Sequence, residues 1–468
     1  MAKLDISPIA DQDGLLPGSG SVSRYEKTIL GVLLAIPVFA TLAYGATEVW
    51  SLIPLSFLTL ILVVLWAADG SRAGRFGLNS SALQIPIVAL IVIGLIQLLP
   101  FGSTSISDSM LSVPASSALS LDPYATRLFV ARLILFLVFF ALALRFINTA
   151  GRCRVFAVSI VIFGALMAFA GILQRLASPD AIYGMRPTPQ AIPFGPFVNQ
   201  HHFAAFMAMC LGLALAMLIG SGFKRDRKGL LVIAVFLMAI ALLMTGSRGG
   251  MIATAAVVTT VAAGMIRFGV KSHTIRSGAA FKFAAAAILT GFLAIGAVAF
   301  LAGADPLIRG IGLDSGQADP TSGRLHFWSV GWKVFLDHPM IGAGHDAFGV
   351  AFTRHDTWNG YFRVEQAHND YLQILADGGL LSFLCVVFFL VLLIRKSLNV
   401  IRLSECSVRG NIAIGALAGC IGMAVHSFFD FPLRTSSNGY FFLLLAVLTT
   451  AFVKQEAKAV RSSRRTAT

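Results

Sequence analysis

At 468 residues, 57% hydrophobic and only 12% charged, with a mean hydropathy of +0.81, the chain is too apolar for an ordinary soluble globule and reads as a membrane protein. A net charge of +14 would suit nucleic acid if it formed one patch, but the 36 Lys and Arg residues are spread loop by loop. The five cysteines, Cys153, Cys210, Cys385, Cys406 and Cys420, fall inside apolar runs or at their ends and suggest no disulfide framework.

A polar tail over 1–28 opens the chain. Its Asp11 and Asp13 form a DxD pair of the kind that can hold a metal-nucleotide, yet they stand alone there. Apolar runs of roughly 18 to 23 residues follow, each able to cross a ~30 Å hydrocarbon core as a helix. Twelve are expected, at 29–47, 51–68, 82–101, 128–148, 154–173, 200–220, 229–245, 250–267, 281–303, 378–396, 411–428 and 438–453. No small-residue cleavage site follows the first run, so it reads as a retained span rather than a cleaved signal. The expected fold class is therefore all-α. It is a polytopic membrane bundle with helices 1–9 over 29–303, a long outer loop over 304–377, helices 10–12 over 378–453 and a basic tail over 454–468.

The basic residues orient this bundle. With the N-terminus inside, 25 of the 36 Lys and Arg lie on the inner side and 11 outside, although the longest loop is outside. Lys224, Arg225, Arg227 and Lys228 make the densest inner cluster. Positive charge is retained on the cytoplasmic side of short loops, so the basic balance reports topology and anionic lipid, with no role for nucleic acid. The outer segments are then 48–50, 102–127, 174–199, 245–249, 304–377 and 429–437. Eight of the nine histidines sit on or beside them, all but His273, and histidine is the usual proton-transfer group near neutral pH.

Taken in chain order, the outer face carries several candidate groups. Arg186 and Asn199 in 174–199, and His202 just beyond, are candidate cavity lining, as are His426 and Asp430 on the last outer edge. For each of these a helix-end hydrogen bond is the simpler reading. Arg248 lies in the turn TGSRGG at 245–250, where glycines let a ligand approach the backbone and a helix start offers free N–H groups to an anion. An arginine anchoring to lipid headgroups explains Arg248 equally well. In 321–337, Leu325, Trp328, Trp332, Phe335 and Leu336 recur at helical spacing behind a Thr321 or Ser322 cap, which predicts an amphipathic interfacial helix ending before Pro339. Arg324 stands at its start, and two arginines near helix starts on one face suit a diphosphate, whose oxygens guanidinium groups bind bidentately. A second stripe, His368, Tyr371, Leu372 and Leu375, leads through Gly378 and Gly379 into the tenth span.

Other chemistries find less support. No inner loop could hold a nucleotide-sugar domain, and neither a Walker nor a Rossmann glycine motif occurs. The GxSxG of a serine hydrolase is incomplete at Thr245–Gly249, and His338, His345 and His355 lack paired zinc-ligand spacing. A transporter or flippase would place ionisable residues at mid-membrane, whereas Arg132 and Glu48, the nearest candidates, sit toward the outer end.

The runs FVNQHHFAAF at 197–206, TGSRGGMIA from 245, GRLHFWSVGWKVFLDHPMIGAGHDAFG at 323–349, AHNDYLQILADGGL at 367–380 and HSFFDFPLRTSSNGYFF at 426–442 resemble the signature stretches of the O-antigen ligase/polymerase family. The resemblance runs in order over 200–442, with an echo in LAYGATEVWS at 42–51. It implies a metal-free, cofactor-free inverting glycosyltransferase of the bacterial inner membrane, with both termini cytoplasmic and the site on the periplasmic face. By that resemblance Arg248 and Arg324 contact the diphosphate of an undecaprenyl-linked glycan donor, and His368, beside Asn369 in the HN motif, takes part in transfer as general base or as phosphate ligand. The acceptor would be a growing glycan in a polymerase, lipid A core in a ligase or a side chain in a protein oligosaccharyltransferase. The HSFFDFPL ending leans toward an exopolysaccharide polymerase, with other polysaccharide-assembly proteins as candidate partners. One departure is Asp377, where the family often has Glu.

Overall fold

The computed structural model describes residues 23–101, 117–189, 191–220, 225–269, 323–358 and 364–451. The expected ninth span at 281–303, Asp11, Asp13, Thr321, Ser322 and the tail over 454–468 lie outside the described residues.

Among the described residues the protein is an all-α bundle with one two-stranded hairpin, β1 (Ala181–Ile182) and β2 (Arg186–Pro187). Its helices are α1 (Arg24–Leu42), α2 (Leu52–Ala73), α3 (Gln84–Gln97), α4 (Pro123–Phe146), α5 (Ala150–Ala177), α6 (Gln200–Ile219), α7 (Arg225–Met244), α8 (Arg248–Gly264), α9 (Arg324–Asp337), α10 (Phe348–Thr353), α11 (Asp370–Leu403), α12 (Val408–His426) and α13 (Ser436–Thr450). Nine described helical spans are long and apolar enough to cross a membrane, and α3 and α13 are shorter apolar helices. Every expected span except the ninth therefore has its helix, and the protein is a multi-pass membrane protein.

The helix starts follow from short polar side chains that satisfy backbone N–H groups a helix leaves unpaired. Asp122 caps α4, Thr149 α5, Asn199 α6, Ser247 α8, Asn369 α11 and Ser407 α12, each accepting a backbone N–H two or three residues on. Two differences from the expected spans shape the site. The first helix starts at Arg24, inside the expected polar tail, because Ser23 caps it, and it stops at Leu42, before the left-handed residues Tyr44, Gly45 and Ala46. A Cβ on Gly45 would sit 2.7 Å from the Thr435 side chain, so this turn is pressed against the start of α13.

The other difference concerns the tenth span. It forms one long helix from Asp370, broken at Gly379 (φ 65°, ψ −170°), and His368 lies outside it with φ 51°. The loop after α9 supplies the hydrogen bonds that the break forfeits. Leu380 and Leu381 N–H donate to the Pro339 and Met340 carbonyls, while Ala343 and Gly344 N–H donate to those of Ala376 and Asp377, all at 2.8–3.2 Å. A Cβ on Gly379 would approach Met340 backbone to 2.4 Å, so no other residue fits there. Gln97, at the end of α3, stitches the same junction: its amide donates to the Asp377 carbonyl at 2.9 Å and accepts from His345 N–H at 2.8 Å.

The amphipathic helix expected over 321–337 is α9, introduced by left-handed Gly323. It buries Val330 and Val334 and leaves Leu325, Trp332 and Leu336 exposed on the face turned from the protein. At the centre of the bundle α6 and α12 are buried nearly all round and cross closely, with Gly212 against Gly415 and Gly419. A Cβ on Gly415 would lie 2.6 Å from the Gly212 carbonyl oxygen, the close backbone approach that small residues permit between membrane helices. Gly415→Leu is expected to cost about 1–3 kcal/mol through overpacking. Thermal unfolding in detergent should show it as a lowered midpoint, and Gly31→Leu, where a Cβ meets nothing within 4 Å, should not shift.

Candidate functional site

The starts of α6, α8, α9, α11 and α13 and the end of α12 converge at one end of the bundle, and the convergence is organised around one carboxylate. Asp430, only 1% exposed, sits in the turn between α12 and α13. His368 Nδ1 lies 3.3 Å from its Oδ1, Arg324 Nη2 3.7 Å from its Oδ2 and His202 Nε2 4.0 Å from its Oδ1. Burial alone would raise the Asp430 carboxyl, but the His368 ring and the neighbouring His201 and His202 outweigh it and hold the group well below the usual carboxylate range. The turn is tied to α11, whose Asp370 N–H donates to the Ser427 carbonyl at 2.8 Å and whose carboxylate accepts from Ser427 Oγ at 2.8 Å.

Arg248 joins this cluster from α8. It is exposed at the first position of the helix, directly after Ser247, whose Oγ caps the helix and meets His201 Nδ1 at 2.9 Å. The His201 ring feels the charges of Asp430, Arg324, His368 and Arg248 together. The glycine after Arg248 has a packing reason: a Cβ on Gly249 would lie 2.9 Å from Phe429 and 3.5 Å from the buried His426 ring. Phe431 completes the cluster, edge-on to both His368 and His202 with centroids 4.8 and 4.7 Å apart, while Phe327 of α9 stacks on the other side of His368 at 5.9 Å.

The structure thus brings together Arg248, Arg324, His368, His202, His426 and Asp430. It does not bring in the other sequence candidates. Asn199 and Asn369 are helix caps. Arg186 pairs with Glu48 at 2.5 Å and lies over the Tyr44 ring at 4.5 Å. Asp377 belongs to a second buried network, paired with Arg434, which also pairs with Asp346; Gln373 Nε2 donates to Asp377 Oδ2 at 3.2 Å. Burial by itself would lower the Arg434 guanidinium, but Asp346 and Asp377 outweigh it and bind its proton more firmly than usual. Arg434, Asp346 and Thr435, which hydrogen-bonds His202 Nδ1 at 2.6 Å, are site residues that sequence reasoning missed. Arg434 does stand in the FPLR run just before a helix start, an available signal.

His338, His345 and His355 are apart in role. His345 is buried and stacked on Phe129 at 4.8 Å, and His355 pairs with Asp337 at 2.8 Å. No group of three or more metal-holding side chains occurs among the described residues. Between α4, the α12–α13 turn and residues 346–350 and 365–366 lies a polar cavity of about 440 Å³. Arg132 and Arg434 line it and also border an apolar cavity of about 210 Å³ between α3, α4 and α11 to α13.

Fold and site together define a multi-pass helical membrane protein with arginines and histidines gathered around a buried carboxylate at one end of its bundle. The O-antigen ligase family profile matches residues 233–387, a stretch holding Arg248, Arg324, His368 and Asp377. The chain is also 24% identical over 205 residues to the exopolysaccharide production protein ExoQ of Rhizobium meliloti (strain 1021), covering 42% of this chain and 45% of that protein. It therefore spans less than half the length of that relative. These matches support assignment of the chain to the O-antigen ligase/polymerase family, the one its motifs resemble.

Two outcomes follow from the buried charges. Arg434→Ala leaves Asp346 and Asp377 facing each other without their cation and is expected to destabilise the protein by about 3–5 kcal/mol. Adding Asp377→Asn should recover part of that loss in thermal unfolding. Burial, reinforced by the Arg434 guanidinium, pushes the His345 imidazole from 6.5 down to about 3. The unfolded chain then takes up a proton over that interval that the fold refuses. The contribution to stability is complete above pH ~6.5 and is lost as pH falls toward ~3. His345→Phe should flatten the acid-side loss by up to about 1.4 kcal/mol per pH unit, read from unfolding midpoints between pH ~7 and ~4.

Proposed function

We propose that the protein transfers glycan from an undecaprenyl-diphosphate-linked donor on the periplasmic face of the bacterial inner membrane, both termini being cytoplasmic, and that it polymerises repeat units of an exopolysaccharide or O-antigen. The observation that carries this reading is the cluster around Asp430. Arg248 and Arg324 both stand at helix starts, where guanidinium charge and the positive end of the helix dipole add up to a site for diphosphate. Asp430, 3.3 Å from Nδ1 of His368, favours the tautomer that leaves Nε2 as a lone-pair base.

In this mechanism the acceptor hydroxyl attacks the anomeric carbon as its proton passes to His368 Nε2. The glycosidic C–O bond to the diphosphate breaks and undecaprenyl diphosphate leaves with the electron pair. The arginines stabilise the charge that develops on it, which is electrostatic work aimed at the transition state. The topology supports the donor class: a transferase acting outside the cell's nucleotide pool needs a donor activated beforehand and carried by lipid. The name of the R. meliloti relative, an exopolysaccharide production protein, supports the polymerase over the ligase.

Purified protein given polyprenyl-diphosphate repeat units should release undecaprenyl diphosphate and lengthen the glycan, with EDTA present. Arg248→Ala, Arg324→Ala and His368→Ala should each lower turnover by about 10²–10³-fold. Full activity in all three would sink the assignment. A glycan gel from a deletion strain separates the acceptors: single repeat units on lipid carrier or core mean a lost polymerase, and bare core beside intact lipid-linked chains means a lost ligase.

A further inference from the structure

The polar cavity beside α4 shares His202 and Phe431 with the donor cluster and otherwise has a wall of its own, which holds polar atoms that the fold leaves unsatisfied. Arg132 Nε, Gln366 Oε1 and His202 Nε2 are buried without a hydrogen-bond partner among the described residues, and all three side chains line this cavity. His202 is only 5% exposed. Buried donors and acceptors are normally paired, and since His202 Nε2 faces Asp430, it is Arg132 Nε and Gln366 Oε1 in this wall that mark a place where a ligand completes the set. The cavity's volume of about 440 Å³ falls within the roughly 300–1,000 Å³ of small-ligand sites.

The chemistry of the wall selects the ligand. Gln366 Oε1 needs a donor and Arg132 Nε–H needs an acceptor, and a hydroxyl is both. The carboxylates of Asp122, Asp346 and Glu365 on the same wall disfavour a diphosphate. Tyr124 and Phe431 add aromatic surface against which the C–H face of a sugar ring can lie. The start of α6 then separates this cavity from the arginine of α8. Successive residues on a helix point about 100° apart; His201 reaches Ser247 beside Arg248, whereas His202 bonds Thr435 and faces the cavity. Phe431 lies edge-on to both the His202 and His368 rings, and the Asp430 carboxylate approaches both as well.

We propose that this cavity binds a hydroxyl-rich sugar of the acceptor glycan, with Arg132 and Gln366 as its polar contacts and Phe431 at its border with the donor cluster, beside the His368 base. The proposal rests on the glycan-transfer reading, since an inverting displacement brings acceptor and leaving group to opposite sides of the anomeric carbon. The cavity and Arg248 lie on different sides of the α6 start, an arrangement compatible with that displacement.

The test uses the full chain in nanodiscs and, as probe, repeat-unit oligosaccharides freed by mild acid from the lipid-linked pool of the producing cells. Saturation-transfer NMR should show binding to the wild type. Val350→Trp, at a 39% exposed position on the cavity wall, should weaken it about tenfold or more by filling the space, and Gln366→Leu should do so by removing an acceptor. Gln366→Leu keeps the question answerable if the tryptophan variant does not fold. Arg324→Gln should bind the oligosaccharide as the wild type does while losing transfer. No binding by the wild type, or undiminished binding by both cavity variants, overturns the proposal. Loss of binding in the cavity variants with full transfer by Arg324→Gln upholds the cavity and overturns the donor clamp instead.

Discussion

A carboxylate buried at the end of a membrane bundle has to be compensated, and Asp430 is the point on which the described site depends. With only 1% of its surface exposed, it cannot be solvated by water, so neighbouring charged and polar groups must compensate it. Those neighbours come from α9, from the residue before α11's cap and from the first turn of α6, as Arg324, His368 and His202. One charge thereby fixes the relative positions of segments far apart in the chain. It also explains why His368 is held in a left-handed conformation at a non-glycine position, a strain that the surrounding contacts must offset.

A second constraint is the need to satisfy backbone groups where helices break within an apolar setting. The interruption of α11 at Gly379 would expose carbonyls and N–H groups, and the loop from Pro339 to Gly344 pairs with them. That pairing delivers Asp346 to Arg434 and holds Asp377 beside it, so the loop that repairs the helix also builds the wall of the polar cavity. Local repair and site construction are accomplished by the same residues.

Most of the bundle was legible in the sequence, because a membrane span is announced by length and apolarity alone, and every expected span within the described residues has its helix. Arg248, Arg324 and His368 could be singled out in the sequence because each stands in a short motif near a helix start, and the structure brings the three to one end of the bundle. The Arg434 network was not legible, since its partners lie 88 and 57 residues away and no local spacing records such a pairing. Asn199 and Asn369, named as candidate cavity lining, are caps, the helix-end role that is the simpler reading for Asn199 and that the same residue type serves at many helix starts. His368 fitted the helical stripe by spacing, yet Asn369 caps the helix one residue too late to include it.

The turn from Ser427 to Thr435 gives Asp430 to one compartment, Arg434 and Thr435 to the other, and Phe431 to the border between them. Variation there is doubly penalised, because a change that reshapes one compartment reshapes its neighbour. Relatives that handle different sugars are therefore expected to diverge in the α4 face and in the 364–366 strip, which border one compartment only, while this nine-residue turn drifts slowly.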